Sequence, residues 1–151
     1  MGCACSDQVV HSQLKRPFDD LMMPVQVCLE YARFVFFFED DQGNVLLQIG
    51  VRLDYTLDMR YYRMTNFNYK LGGSWGPDPV RLWDSPEYPF PFDNGQQFDL
   101  NITAVADDVF AVYVDDIHYV DYQLPAPVST ITSFKFRDDL QVHYLDLWCV
   151  L

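Results

Sequence analysis

The side chains that could do chemistry in this chain are scattered. His11, His118 and His143 lie far apart, so spacing sets none of them beside a nucleophile or a second imidazole, as catalysis or metal binding would need. The acidic residues come as adjacent pairs, Asp19-Asp20, Asp40-Asp41, Asp107-Asp108, Asp115-Asp116 and Asp138-Asp139. A calcium loop needs oxygen ligands at alternating positions, so these pairs read as solvated turn residues. Cys3, Cys5, Cys28 and Cys149 have no metal-ligand spacing to the histidines and do not form a disulfide framework. Asn101-Ile102-Thr103 satisfies a glycosylation sequon, but in a strand context and without a secretory signal it reads as coincidence. No nucleophile with its base, no separated carboxylate pair and no metal cluster stands out, so the expectation is a protein that binds and does not catalyse, with no cofactor.

The elements that must position any binding groups are strands. From about Phe34 onward, short apolar runs rich in Val, Ile, Phe and Tyr alternate with Gly, Pro, Asn and Asp at intervals of about 8–12 residues, the mark of an antiparallel sandwich or barrel. After the turn Asp41-Gln42-Gly43-Asn44, Leu47, Ile49, Val51 and Leu53 share one face, and Gln48, Gly50 and Arg52 share the other. One face is core; the other can meet a ligand. Phe98, Leu100, Ile102 and Ala104 repeat that period, as do Phe110, Val112 and Val114. No window holds a helical apolar stripe that survives the intervening prolines and glycines. The expected fold is all-β, a two-sheet antiparallel β-sandwich, in one domain over 18–151 after a leader over 1–17 that ends in Lys15-Arg16-Pro17.

Composition bounds the partners. Half of the residues are apolar and 17% aromatic, enough for burial to offset ordering. A formal net charge of -12, from 22 acidic against 10 basic residues, repels phosphate backbones and anionic headgroups, which argues against nucleic acid and against a polybasic membrane contact. No apolar run reaches the length of a spanning helix and the first residues carry no signal-peptide pattern. A cytoplasmic location, or secretion without a signal peptide, is expected. Met-Gly-Cys-Ala-Cys-Ser does match an N-myristoylation pattern, with Gly2 as acceptor and Cys3 and Cys5 as palmitoylation candidates, which would anchor the protein to a membrane.

Between Val45 and Tyr122 the order and spacing of several landmarks resemble the galectin carbohydrate-recognition domain. Phe90-Pro91-Phe92-Asp93-Asn94-Gly95-Gln96-Gln97-Phe98 is similar to that family's Phe-Pro-Phe-x-x-Gly-x-x-Phe approach to a strand. Phe110-Ala111-Val112-Tyr113-Val114-Asp115-Asp116-Ile117-His118 resembles its Phe-x-Val-x-Val-Asn-Gly-x-His hairpin, with Asp115-Asp116 in place of Asn-Gly as the tight turn. The family's His-x-Asn-x-Arg strand falls on Gln48, Gly50 and Arg52. Its next Asn falls on Asn68, and its Trp-Gly-x-Glu-x-Arg on Trp75, Gly76, Asp78 and Val80, with Arg81 one step further.

The resemblance implies a galectin or concanavalin-like jelly roll that recognises a β-galactoside or related glycan. Trp75 would be a flat platform for the C–H face of the sugar, and Arg52 a guanidinium fork for the 4-hydroxyl and ring oxygen. Asn68 would meet the 6-hydroxyl, with Asp78 accepting from it or orienting Arg52. Gln48 could donate in place of a His, whereas Gly50 cannot replace an Asn and Val80 cannot replace an Arg. Those departures leave a second expectation open, a galectin-fold protein-interaction module that has lost galactoside binding. Pairing of two copies through edge strands near the termini is a further expectation from the family.

Overall fold

The computed structural model describes the backbone of residues 12–13, 21–22, 25–57, 60–93, 97–145 and 148–149, and the side chains of 33–53, 63–93 and 97–137. The leader over 1–17, apart from Ser12–Gln13, lies outside the described residues, as do Gly2, Cys3, Cys5 and His11. Asn94, Gly95 and Gln96 lie outside them too. In chain order the strands are β1 Ser12–Gln13, β2 Leu21–Met22, β3 Val25–Glu39, β4 Val45–Leu57, β5 Arg60–Leu71 and β6 Ser74–Trp75. They continue as β7 Val80–Trp83, β8 Gln97–Ala106, β9 Val109–Val114, β10 Ile117–Gln123, β11 Ser133–Leu145 and β12 Trp148–Cys149. One 3-10 turn spans Val128–Thr130, and the described residues contain no α-helix.

All pairings are antiparallel, and β3 is long enough to join two layers. Its first residues, Val25–Cys28, pair with β8, which continues through β9 to β10. Its later residues, Arg33–Glu39, pair with β4, which continues to β5 and from there to β6 and β7. β11 runs beside β3 along its length, and β12 pairs with β2. The expected all-β, two-sheet sandwich is therefore what forms.

Alternation along the strands closes the two layers on each other. Phe34, Phe36 and Phe38 on β3, Leu47, Ile49 and Val51 on β4, and Phe67 on β5 face inward and are buried. They meet Phe98, Leu100, Ile102 and Ala104 of β8 and Phe110, Val112 and Val114 of β9, the positions that the period-2 pattern marks as core. The ring centroids of Phe34 and Phe98 are 5.7 Å apart, of Phe38 and Phe110 5.2 Å, and of Phe67 and Tyr122 5.8 Å. Phe92 plugs the end of the sandwich, edge-on to Phe98 at 4.8 Å. Each such ring contributes about 1.5–3 kcal/mol by leaving water, so the aromatic seam is the main cohesive element between the layers.

Turn chemistry sets the register of the hairpins. Val114 pairs directly with Ile117, leaving Asp115 and Asp116 as the connection at φ of 50° and 63°. This left-handed pair is the mirror-image turn that matches strand twist, normally made by Asn-Gly. Asp115 holds it by accepting a hydrogen bond from the Asp99 amide through Oδ1 at 2.9 Å, while its own amide donates to the Asp99 carbonyl at 2.8 Å. At the opposite end Asp40 caps the turn into β4, its Oδ1 accepting from the amides of Gln42 and Asn44, both at 2.9 Å.

Candidate functional site

The phase that buries Ile49 and Phe67 turns the intervening residues of β3, β4, β5, β7 and β11 outward onto one face. Register aligns them in rows. Arg137, Val35, Gly50, Asn66 and Arg81 face one another in succession across β11, β3, β4, β5 and β7. Arg33, Arg52, Met64 and Trp83 form the next row across β3, β4, β5 and β7, while Phe37, Gln48 and Asn68 form the row on the other side across β3, β4 and β5.

Where the first two rows meet, the surface sinks into a depression of about 420 Å³ whose lining includes Gln48, Gly50, Arg52, Asn66 and Arg81 together with Arg33 and Arg137. Gly50 is its floor. A β-carbon built there would come no nearer than 3.9 Å to the Asn66 carbonyl oxygen and to Gln48 Nε2, so the missing side chain leaves open space. Asn66 Oδ1 is buried beside that floor with no hydrogen-bond partner among the described residues. A buried amide oxygen left unpaired costs about 1–3 kcal/mol, so a donor arriving from outside would be favoured. Arg81 joins the depression through regular pairing of β7 with β5: Leu82 takes the inward phase and Arg81 the outward one, with no backbone shift.

Trp75 lies one step along the same face. It sits opposite Lys70 in the β5–β6 ladder, is 46% exposed, and lines a neighbouring depression of about 390 Å³ with Phe37, Glu39, Lys70 and Lys135. Arg137 lines both depressions, so the indole and the arginine-lined hollow are parts of one furrow. Lys70 Nζ stands 5.4 Å from the centre of the Trp75 ring. A cation over an exposed ring is worth about 0.5–1 kcal/mol, little enough for an apolar ligand face to displace it.

The remaining sequence candidates are placed differently. Asn68 is 9% exposed, its Nδ2 donating to the Gly76 carbonyl at 3.4 Å and its Oδ1 accepting from the Tyr69 amide at 2.9 Å. It braces the β5–β6 turn, and it lines neither depression. A β-carbon on Gly76 would stand 2.8 Å from Asn68 Oδ1 and 2.7 Å from Tyr69 Cζ, so only glycine lets the chain after Trp75 pass this close. Asp78 is exposed in the segment between β6 and β7 and also lines neither depression.

Behind the furrow, two polar groups steady the scaffold. Arg63 Nη2 donates to Asp84 Oδ2 at 2.6 Å and Nη1 to Asp93 Oδ1 at 2.8 Å, tying the 84–93 loop to β5. The hydrogen bond from Arg63, helped by the Phe90 amide, holds the Asp84 carboxyl below its ordinary range. On the inner side, Tyr119 donates to Thr65 Oγ1 at 2.9 Å, and burial raises its phenol above the usual value. Burial pushes Tyr122 up to about 12.

Of the sequence candidates, Gln48, Gly50, Arg52 and Arg81 come together, and Trp75 adjoins them. Asn66, Arg33 and Arg137 were not singled out from sequence. Asn66 was within reach of it, because it shares the β5 phase with Asn68. Arg33 reaches the site through pairing of β3 with β4, which sets it opposite Arg52, and Arg137 only through pairing of β11 with β3, strands about a hundred residues apart in the chain that carry no local signal of that contact.

The model of the family described as galactoside-binding lectin matches residues 21–147. Among solved structures, galectin LEC-6 of Caenorhabditis elegans superimposes with a TM-score of 0.78 at 14% identity, covering 95% of this chain and 92% of that one. Sheep galectin-11, solved in complex with glycerol, gives 0.70 at 16% identity over 97% of this chain and 100% of that one. CG-16 from chicken liver, a homodimeric agglutinin, gives 0.70 at 19% identity over 93% and 100%. No curated protein matches the sequence.

Proposed function

The chain belongs to the galactoside-binding lectin family, and from that premise we propose that it is a glycan-binding lectin, a galactoside binder whose ligand lies in the furrow along β4, β5 and β7. The observation that carries this reading is the convergence of Gln48, Arg52, Asn66 and Arg81 on one open depression beside an exposed indole. A sugar ring is apolar on its C–H face and polar at its rim. Trp75 offers a flat surface to the first, and the amides and guanidinium forks offer donors and acceptors to the second. The proposed contact set therefore shifts from the family pattern: Asn66 supplies the amide, Arg81 the second arginine, and Gly50 room rather than a hydrogen bond. No step of bond making or breaking belongs to this function.

Titration of the purified protein with lactose, followed by calorimetry and tryptophan fluorescence, tests it. Saturable binding weakened about threefold to tenfold in Asn66→Ala, the cost of one neutral hydrogen bond, and weakened in Trp75→Ala, is expected. Absence of binding to lactose and to a broad glycan array would remove the lectin reading. In that case the rival, a protein-interaction module on the same fold, gains weight, and the engagement of Asn68 within the β5–β6 turn favours it. Acylation at Gly2, with Cys3 and Cys5, would add membrane attachment, and intact-mass measurement of protein made in eukaryotic cells tests that.

A further inference from the structure

Resting on the lectin reading, we propose that the depression selects an acidic saccharide, a glycan bearing a sulfate or a carboxylate, over a neutral one. Four of the ten cationic residues of a chain with formal net charge -12, Arg33, Arg52, Arg81 and Arg137, line this one hollow, and no carboxylate among the described residues lines it. Elsewhere on the described surface Arg63 holds Asp84 and Asp93, Lys135 holds Glu39 at 2.7 Å on the same outer face, and Lys70 lies over the Trp75 ring. Arg33, Arg81 and Arg137 form no ion pair among the described residues.

Register concentrates these cations, with Arg33 directly opposite Arg52 in the β3–β4 ladder and Arg81 and Arg137 in the adjoining row. A guanidinium fork matches the paired oxygens of a sulfate or carboxylate. Arg137 is already held in place, its guanidinium carbon 4.9 Å from the centre of the Phe37 ring.

Two features favour an anion carried on a sugar. Asn66 Oδ1 is a buried acceptor that no described side chain satisfies, and a sugar hydroxyl can donate to it. The floor at Val35 and Gly50 is free of polar side chains and open above Gly50, which suits a ring face. A bare anion has no proton to donate to Asn66, and a neutral galactoside brings no counter-charge to Arg33, Arg81 and Arg137.

The test titrates the full chain with lactose, 3′-sulfated lactose, 3′-sialyllactose and inorganic sulfate, at low and at physiological salt. At least one charged sugar should bind about tenfold or more tightly than lactose, with an advantage that shrinks as salt rises. A preference for the sulfated or the sialylated form identifies the anionic group. Arg33→Gln and Arg137→Gln should each lower affinity for the charged sugar by a larger factor than affinity for lactose, so that the ratio between the two shrinks; an unchanged ratio overturns the inference. Equal affinity for lactose and both charged sugars overturns this inference and leaves the lectin reading standing. Inorganic sulfate binding as tightly as sulfated lactose overturns the saccharide requirement, and absence of binding by all four overturns this inference, while the lectin reading falls only if the glycan array is silent too.

Discussion

Replacing Gly50 with alanine separates the structural and the binding roles of the furrow floor. A β-carbon at this position meets nothing nearer than 3.9 Å, an ordinary van der Waals distance, so the substitution fits without moving β4 or β5. Glycine in a strand interior loses more backbone freedom on folding than alanine, at a cost of about 0.5–1 kcal/mol. Gly50→Ala should therefore stabilise the fold by about that amount, a rise of about 1–4 °C in melting temperature for a domain of this size. The same methyl group stands between Gln48 and Asn66, where a sugar ring would rest, so affinity for a bound glycan should fall by about tenfold or more. Thermal melting and calorimetric titration of one preparation read both effects. A lower melting temperature would refute the packing argument, and unchanged affinity would refute the assignment of Gly50 as the floor.

Gly76→Ala should act in the opposite sense. Its β-carbon would collide with Asn68 and Tyr69, so a loss of about 1–3 kcal/mol in urea unfolding is expected, with disturbance of the Trp75 fluorescence; unchanged stability would contradict the close approach. Asp84 gives the fold an acid limb. Its carboxyl is depressed by Arg63, so its contribution is present above the ordinary carboxylate value and is lost as pH falls through the lower folded value. Asp84→Asn should therefore lose stability relative to wild type at neutral pH, and the gap should narrow as unfolding is measured toward pH 3. Tyr122 gives an alkaline limb. Raised from 10.0 to about 12 by burial, its phenol favours the fold fully below 10, and this is lost as pH rises toward 12, by about 2–3 kcal/mol. Tyr122→Phe should show a shallower decline between pH 10 and 12, and an identical decline would contradict the burial.

The parts of the fold that depend on neighbours in sequence were legible. Alternation in β4, β8 and β9 placed Leu47, Ile49, Val51, Phe98, Ile102 and Phe110 in the core, because a period of two leaves each residue only one of two faces. The Asp115-Asp116 turn was legible through the resemblance, because it stands where the family's hairpin carries Asn-Gly, and the pair adopts the left-handed conformation such a turn needs. The furrow was legible along β4, where phase alone brings Gln48, Gly50 and Arg52 outward together. It was less so on β5 to β7. There the closeness of Gly76 to Asn68 draws the Asn68 amide into the turn, and the outward phase of β7 falls on Arg81 rather than Val80. The basic character of the hollow was hidden, because Arg33, Arg52, Arg81 and Arg137 are spread over four strands and only the register gathers them. Net charge pointed the other way, since a sum over the chain says nothing about where its few cations gather.

The most direct test of the account is to map the bound sugar by amide chemical-shift changes in isotope-labelled protein titrated with lactose and with its sulfated form. Changes confined to residues 48–52, 66–70, 75 and 81, extending to Arg33 and Arg137 for the sulfated sugar, are the predicted result. Changes centred on the β8–β9–β10 layer, or scattered over both layers, would contradict it.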